Sequence, residues 1–178
     1  LHFPDIDFDT QYLTFSHALE VLKNWSDFYP RHVPIFVLIE CKSDGLEDYF
    51  DDYPALEDFI ETMQGIDTTL VYIEPIPFDI AGLEEAEAEI RNVFGDSLPG
   101  IITPDMVRGN YETLEAAVLD GAWPTLGDAR GKVLFGLDNG GSLMNDYMDG
   151  HPSLSGRILF VEANPGTPEA AFLGMNTP

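Results

Sequence analysis

The chain has 178 residues, 44% of them apolar, and its 32 acidic residues against 8 basic ones leave a net charge of −24. That length suffices for one domain with a real core. The charge argues against nucleic acid, which is bound through clustered Lys and Arg, and against general attraction to anionic membranes.

Thr14 reads as an N-cap, followed by Phe15, Ala18, Leu19, Leu22 and Trp25 at helical spacing, and Tyr29-Pro30 ends that helix. Residues 34–40 (P-I-F-V-L-I-E) form a nearly continuous apolar run closing on an acid, which suits a parallel strand buried on both faces. An acidic, aromatic loop is expected over 43–54, a short helix over 55–64 and a strand over 68–73, with Glu74-Pro75 after it. Asp79 caps a predicted helix reaching Phe94, whose apolar side is Ile80, Leu83, Ile90, Val93 and Phe94. Glu84, Glu85, Glu87 and Glu89 crowd the rest and read as a solvated face, tolerated near the positive end of the helix dipole. Thr103-Pro104-Asp105 opens a helical turn, and a second short helix is expected over 112–119. Strands are predicted at 132–137 (K-V-L-F-G-L) and 157–161 (R-I-L-F-V). Asp138-Asn139-Gly140-Gly141 reads as a turn after the first and Glu162 follows the second.

Buried strands alternating with amphipathic helices give an α/β fold with a parallel sheet, either a barrel or an open doubly wound sheet. No G-x-G-x-x-G or P-loop glycine pattern follows any strand, which counts against nucleotide-binding versions. Polar residues stand at the C-terminal strand ends: Glu40, Glu74, Asp138 with Asn139, and Glu162. Parallel barrels build their active sites at that end; strand ends are also exposed in any α/β fold. The excess acid is either a solubility or salt adaptation, or it holds a cation. No apolar run approaches the ~20 residues that span a bilayer. The single cysteine, Cys41, excludes an intramolecular disulfide and fits either the cytoplasm or a secreted bacterial protein.

Three blocks resemble a known family. The first contains His2, Asp7 and Thr10, then L-E-V-L-K-N-W-S (19–26) and P-I-F-V-L-I-E-C-K (34–42). The second is I-T-P-D-M-V-R-G (102–109) with T-L-E-A-A-V-L (113–119), and the third is G-A-W-P-T-L-G-D-A-R-G-K-V-L-F-G-L-D-N (121–139). Together they are similar to the bacterial and fungal calcium-dependent phosphatidylinositol-specific phospholipases C, relatives of the eukaryotic phosphoinositide enzymes. The blocks span roughly half the chain; 43–77 has no counterpart and reads as an insertion in a single barrel segment covering 1–178.

The resemblance implies a TIM-barrel-like (β/α) phosphodiesterase. Such an enzyme cleaves phosphatidylinositol to diacylglycerol and inositol phosphate through a cyclic intermediate, using histidines and Ca²⁺. His2 matches the family's second histidine, a general acid toward the leaving oxygen or a stabiliser of the transition state, as suits a group titrating near neutrality. Glu40 matches a calcium ligand, and an acid ending an apolar strand needs a partner or water. Lys42 either faces the same mouth and binds phosphate or is an ordinary surface lysine. Gly136 and Asp138 stand where eukaryotic relatives carry lysines that grip ring phosphates. Without those lysines the implied substrate is an inositol lipid with an unphosphorylated headgroup, presented at a membrane surface, and Asp138 accepts hydrogen bonds from ring hydroxyls. Asp138-Asn139-Gly140-Gly141 is equally good turn chemistry.

The family's first histidine, its following asparagine and an acidic pair completing the calcium site are expected upstream of Leu1, and further strands beyond Pro178. The barrel is therefore expected to be incomplete at both ends, poorly stable or closed by a partner, and inactive alone. The family points to an extracellular or periplasmic protein, although no signal peptide precedes Leu1. Cys41 reads as a small packed hydrophobe; His17, His32 and His151 as structural or exposed; Trp123-Pro124 as packing. Asp5, Asp7 and Asp9 either coordinate a cation or serve no site, since spacing of two in a loop is not a strong signature. The rival readings are a glycerophosphodiester phosphodiesterase and a noncatalytic acidic calcium-binding or interaction module.

Overall fold

The computed structural model describes residues 12, 14–41 and 77–172. The chain divides into two compact units, Leu1–Leu13 with Lys42–Phe78, and Thr14–Cys41 with Asp79–Pro178. Every element below belongs to the second. The helix predicted at 55–64, the strand at 68–73 and Glu74 lie outside the described residues.

Thr14 caps α1 (Phe15–Phe28), its hydroxyl accepting from the His17 amide at 3.2 Å. The helix stops at Tyr29-Pro30, whose ring cannot continue it. His32 then turns back: its Nδ1 donates to the Val33 carbonyl at 2.5 Å, and its Nε2 meets the buried Ser26 hydroxyl at 2.8 Å. His32 is thus structural. β1 (Ile35–Ile39) follows.

Asp79 caps α2 (Ile80–Phe94) through a 3.0 Å bond from the Gly82 amide. Leu83, Glu87, Ile90 and Phe94 recur at helical spacing on its buried face. Threonine caps also start α3 (Pro104–Arg108), α4 (Leu114–Leu119) and α5 (Leu126–Ala129), each accepting from the amide three residues on. β2 (Val133–Leu137) is followed by α6 (Gly141–Met148), a 3₁₀ turn at Pro152–Leu154 and β3 (Leu159–Val161). The sequence reading gave neither α5 nor α6. For α6 the reason is local, since Gly140 at its N-cap makes no side-chain cap bond and two glycines there read as a turn.

The three strands form one parallel sheet in the order β1-β2-β3, with Leu38 opposite Gly136 and Gly136 opposite Phe160. Side chains alternate between its faces. Val133, Phe135, Leu137, Leu159 and Val161 lie on one face and are fully buried in the main core, where Phe94 of α2 meets Phe135 edge-on at 6.1 Å. Phe36, Leu38, Leu134, Gly136 and Phe160 lie on the other. Trp123 stacks on Phe160 at 5.2 Å there, which makes Trp123 the packing residue expected.

Two expectations need correction. β1 is not buried on both faces: Phe36 and Leu38 remain 45% and 49% exposed, because nothing among the described residues covers that part of the second face. The four glutamates of α2 are not all solvated, because Glu87 is 7% exposed. Its carboxylate accepts from the Tyr147 hydroxyl and from the Ile158 amide at 2.5 Å, and lies 3.8 Å from the buried Arg157 guanidinium. Arg157 also covers the Tyr147 ring at 4.4 Å and donates to the Tyr147 carbonyl at 2.9 Å. The third strand starts at Leu159 rather than Arg157 because Arg157 and the Ile158 amide are committed to this network.

Candidate active site

Each strand ends on an acid: Glu40 after β1, Asp138 after β2, Glu162 after β3. The ladder continues past the strands, the Asp138 amide donating to the Ile39 carbonyl at 2.8 Å and Glu162 bridging Phe172. Extending the register sets Glu40 beside Asp138 and Asp138 beside Glu162. Alternation carries all three to the face of Phe36, Leu38, Gly136 and Phe160. Adjacent strands lie ~4.8 Å apart, so three carboxylates share one rim. Glu40 is exposed, and Asp138 and Glu162 are half-buried. Among the described residues neither Asp138 nor Glu162 has a side-chain partner.

Asn139 holds the rim in shape. Its side-chain amide accepts from the Cys41 amide at 2.7 Å and donates to the Cys41 carbonyl at 2.7 Å, extending the β1-β2 ladder by one rung. An asparagine can satisfy both groups at once, an aspartate only the donor. The sequence reading placed Asn139 in a turn; its partner, 98 positions away, gives no local signal. Burial pushes the Cys41 thiol up, consistent with an inert packed residue.

Among the described residues, the basic side chains that flank the strands stand at the opposite end. Of the eight Lys and Arg, only Lys42 lies outside the described residues. Arg31 precedes β1, Arg130 and Lys132 precede β2, and Arg157 precedes β3. Arg130 donates to the Arg31 carbonyl at 2.8 Å and Lys132 to the Pro99 carbonyl at 3.3 Å. Arg91 reaches the Gly156 carbonyl at 3.4 Å. Arg108 pairs with Asp105 at 2.5 Å, and Asp105 accepts from the Gly156 amide at 2.9 Å. Lys23 pairs with Asp27 along α1. The I-T-P-D-M-V-R-G block is thereby a clamp on the turn before β3, at the end of the sheet away from the acids.

Of the residues singled out in the sequence, Glu40 and Asp138 come together on the rim. His2 and Lys42 lie outside the described residues. The hard oxygen donors of the rim fit Ca²⁺, and among the described residues no thiolate or imidazole stands with them. They do not complete the six to eight oxygens that Ca²⁺ takes, and among the described residues no three acidic, histidine or cysteine side chains converge closely enough to hold a metal. The described rim therefore does not by itself complete a calcium site. No helix among the described residues is long and apolar enough to cross a membrane.

The fold has solved relatives. The chain resembles a calcium-dependent phosphatidylinositol-specific phospholipase C from Streptomyces antibioticus, with 21% identity and a TM-score of 0.53 over 93% of this chain and 48% of that one. It also resembles the myoinositol complex of a calcium-dependent phosphoinositol-specific phospholipase C from a Gram-negative Pseudomonas species, with 17% identity and a TM-score of 0.54 over 92% and 48%. An apo crystal form of that enzyme gives 19% identity and 0.51 over 83% and 41%. The chain thus spans just under half the length of these structures. No curated protein matches it. All 178 residues match the family described as phosphoinositide phospholipase C, Ca²⁺-dependent. With that match from end to end, the chain belongs to the calcium-dependent phosphoinositide phospholipase C family.

Proposed function

We propose that the protein carrying this chain cleaves phosphatidylinositol with an unphosphorylated headgroup to diacylglycerol and inositol phosphate at the mouth of a TIM-like (β/α) barrel. One observation carries the reading: the C-terminal rim of the sheet sets Glu40, Asp138 and Glu162 in a row, and neither Asp138 nor Glu162 has a described side-chain partner. Additional phosphates on the inositol ring would meet carboxylates there rather than Lys or Arg, whereas ring hydroxyls would find acceptors.

In this reading the inositol 2-hydroxyl gives its proton to a base outside the described residues and attacks phosphorus in line as the P–O bond to glycerol breaks, and water later opens the cyclic inositol phosphate that forms. Glu40 contributes a ligand oxygen to Ca²⁺, together with groups outside this rim. When bound, Ca²⁺ supplies positive charge that lowers the pKa of the attacking hydroxyl and offsets charge on the phosphorane. His2 donates a proton to the departing glycerol oxygen, a task suited to a group titrating near neutrality. Lys42 pairs with the reacting phosphate. Asp138 accepts from ring hydroxyls and orients the ring. Residues 43–77 form an insertion, a reading supported by the unit boundary at Lys42–Phe78. The protein works outside the cytoplasm, extracellular or periplasmic, at a lipid surface. The 178-residue chain by itself is inactive, because its rim supplies part of a calcium site.

The test is release of headgroup from vesicles by the full-length protein, with calcium or with chelator. Phosphatidylinositol, phosphatidylinositol 4,5-bisphosphate and glycerophosphocholine are assayed side by side. Calcium-dependent turnover of phosphatidylinositol, with the bisphosphate slower, is expected. Preference for the bisphosphate overturns the headgroup assignment. Turnover of glycerophosphocholine alone makes the protein a glycerophosphodiesterase, and hydrolysis of none makes it a binding module. Glu40→Gln is expected to lower turnover about a hundredfold or more, a few kcal/mol of transition-state stabilisation.

A further inference from the structure

We infer that Asn139 is a positioning residue for the calcium site: it fixes the Glu40 carboxylate by holding the peptide groups of Cys41, and so sets the affinity of the rim for Ca²⁺. The inference rests on the reading of Glu40 as a calcium ligand and adds to it the residue that places that ligand.

The geometry begins where the sheet runs out. Among the described residues, the last backbone rung between β1 and β2 is at Ile39, whose carbonyl accepts from the Asp138 amide at 2.8 Å. In a parallel pair the next rung would join both peptide groups of Cys41 to the facing backbone on either side of Asn139. β2 does not supply it, because the chain leaves the sheet at Gly140, the N-cap of α6. The Asn139 side chain takes the place of that peptide. Its Oδ1 accepts from the Cys41 amide and its Nδ2 donates to the Cys41 carbonyl, both at 2.7 Å. A carboxamide carries the same donor and acceptor as a peptide group. β2 is thereby free to turn into a helix while β1 stays pinned one step further.

That step brackets Glu40. It lies between Ile39, held by the Asp138 amide, and Cys41, held by Asn139. Without the second hold Glu40 would be the loose end of a strand, and strand ends fray. Asp138 is bracketed in the same way, between Leu137 in the ladder and Asn139. Ca²⁺ takes its oxygens at about 2.3–2.6 Å, so a carboxylate on a wandering backbone must be ordered before it can bind, and the affinity falls by the fraction of time it is in place. Asn139 acts through the backbone of Glu40, since its amide is committed to Cys41. Both partners lie within the sheet, so the hold does not depend on what covers either face.

The experiment uses the full-length protein with Asn139→Leu, Asn139→Ala and Glu40→Ala. Tyr147→Phe serves as a control that weakens the fold away from the rim. Titration calorimetry with calcium chloride, in the absence of lipid, gives a dissociation constant for each. Both Asn139 variants should bind Ca²⁺ about tenfold more weakly, on the scale of losing a group that orients a metal ligand, while Tyr147→Phe keeps the wild-type constant. At saturating calcium, turnover of phosphatidylinositol by the Asn139 variants should return toward wild type, because excess ion offsets a site that is less often ordered. The Asn139→Leu penalty should disappear in the Glu40→Ala background, where no carboxylate is left to place. Leucine fills the space of the amide and alanine opens it, and either variant that folds decides the matter. A wild-type calcium constant in a folded Asn139 variant makes the contact a rung of the sheet and nothing more, and overturns the inference. So does a full penalty that persists without Glu40. If Glu40→Ala itself binds calcium as tightly as wild type, the reading of Glu40 as a ligand fails instead, so the two failures are distinct.

Discussion

The two ends of the sheet are built to opposite rules. At the N-terminal end, charges come with partners: Asp105 with Arg108 and the Gly156 amide, Glu87 with Arg157, Tyr147 and the Ile158 amide. At the C-terminal end Asp138 and Glu162 stand half-buried without a described side-chain partner, in a row with Glu40. Paired charges hold a fold; a row of like charges costs stability and persists where something binds it. In parallel barrels the chemistry sits at the C-terminal end of the strands and the opposite end serves stability. On the barrel reading proposed above, that division accounts for the I-T-P-D-M-V-R-G block lying far from the candidate site.

The largest effect should come from breaking the paired end. Glu87→Leu leaves Arg157 buried without its closest buried carboxylate and strips the Ile158 amide and Tyr147 hydroxyl of their acceptor. Loss of one partner from such a buried pair costs ~3–5 kcal/mol. Adding Arg157→Met removes the stranded charge, so the double variant should recover much of that loss. Urea unfolding of the full-length protein measures both. A loss below about 1 kcal/mol for Glu87→Leu, on the scale of an ordinary surface change, would show that the network is not what holds this end.

A second effect is smaller and depends on pH. Burial foremost, and then the neighbouring Glu87 carboxylate, push the Tyr147 hydroxyl well above the usual tyrosine range. The folded protein therefore keeps a proton that the unfolded chain releases near pH 10. The contribution is fully present below pH ~10 and is lost as pH climbs above it toward the raised folded value. Tyr147→Phe removes the hydroxyl that joins Glu87 to the Leu159 amide at 3.0 Å. It should cost ~1–3 kcal/mol at neutral pH, and its stability should fall less steeply than wild type in alkali. Parallel alkaline slopes would contradict this.

How much was legible in the sequence follows the same division. The strand Val133–Leu137, the helix behind Thr14 and the helix behind Asp79 carried local signals of periodicity and capping, and they formed where expected. The acids at the strand ends were also readable, because an acid closing an apolar run is locally conspicuous. What escaped notice depends on contacts far apart in sequence. Glu87 looked like one of four solvated glutamates until Arg157 and Tyr147, 60 or more positions on, were folded against it. Asn139 looked like a turn until its amide met Cys41.

The smallest effect on stability should come from Asp138 on the acidic rim, and its sign separates the two ends. Asp138→Asn preserves shape and removes one charge from the row of three. Since Asp138 has no described side-chain partner to lose, stability should change by no more than ~0.5 kcal/mol, and the change should be upward as repulsion from the flanking carboxylates is relieved. Salt screens that repulsion, with a Debye length of ~8 Å at 0.15 M and ~3 Å at 1 M, so the gain should shrink as salt rises. Hydrolysis of phosphatidylinositol by the same variant should weaken, because an amide accepts ring hydroxyls less well than a carboxylate. More stable and less active is the signature of a residue kept for binding. A loss above ~1 kcal/mol with activity intact would make Asp138 part of the scaffold, like Glu87, and would remove the contrast on which the placement of the site depends.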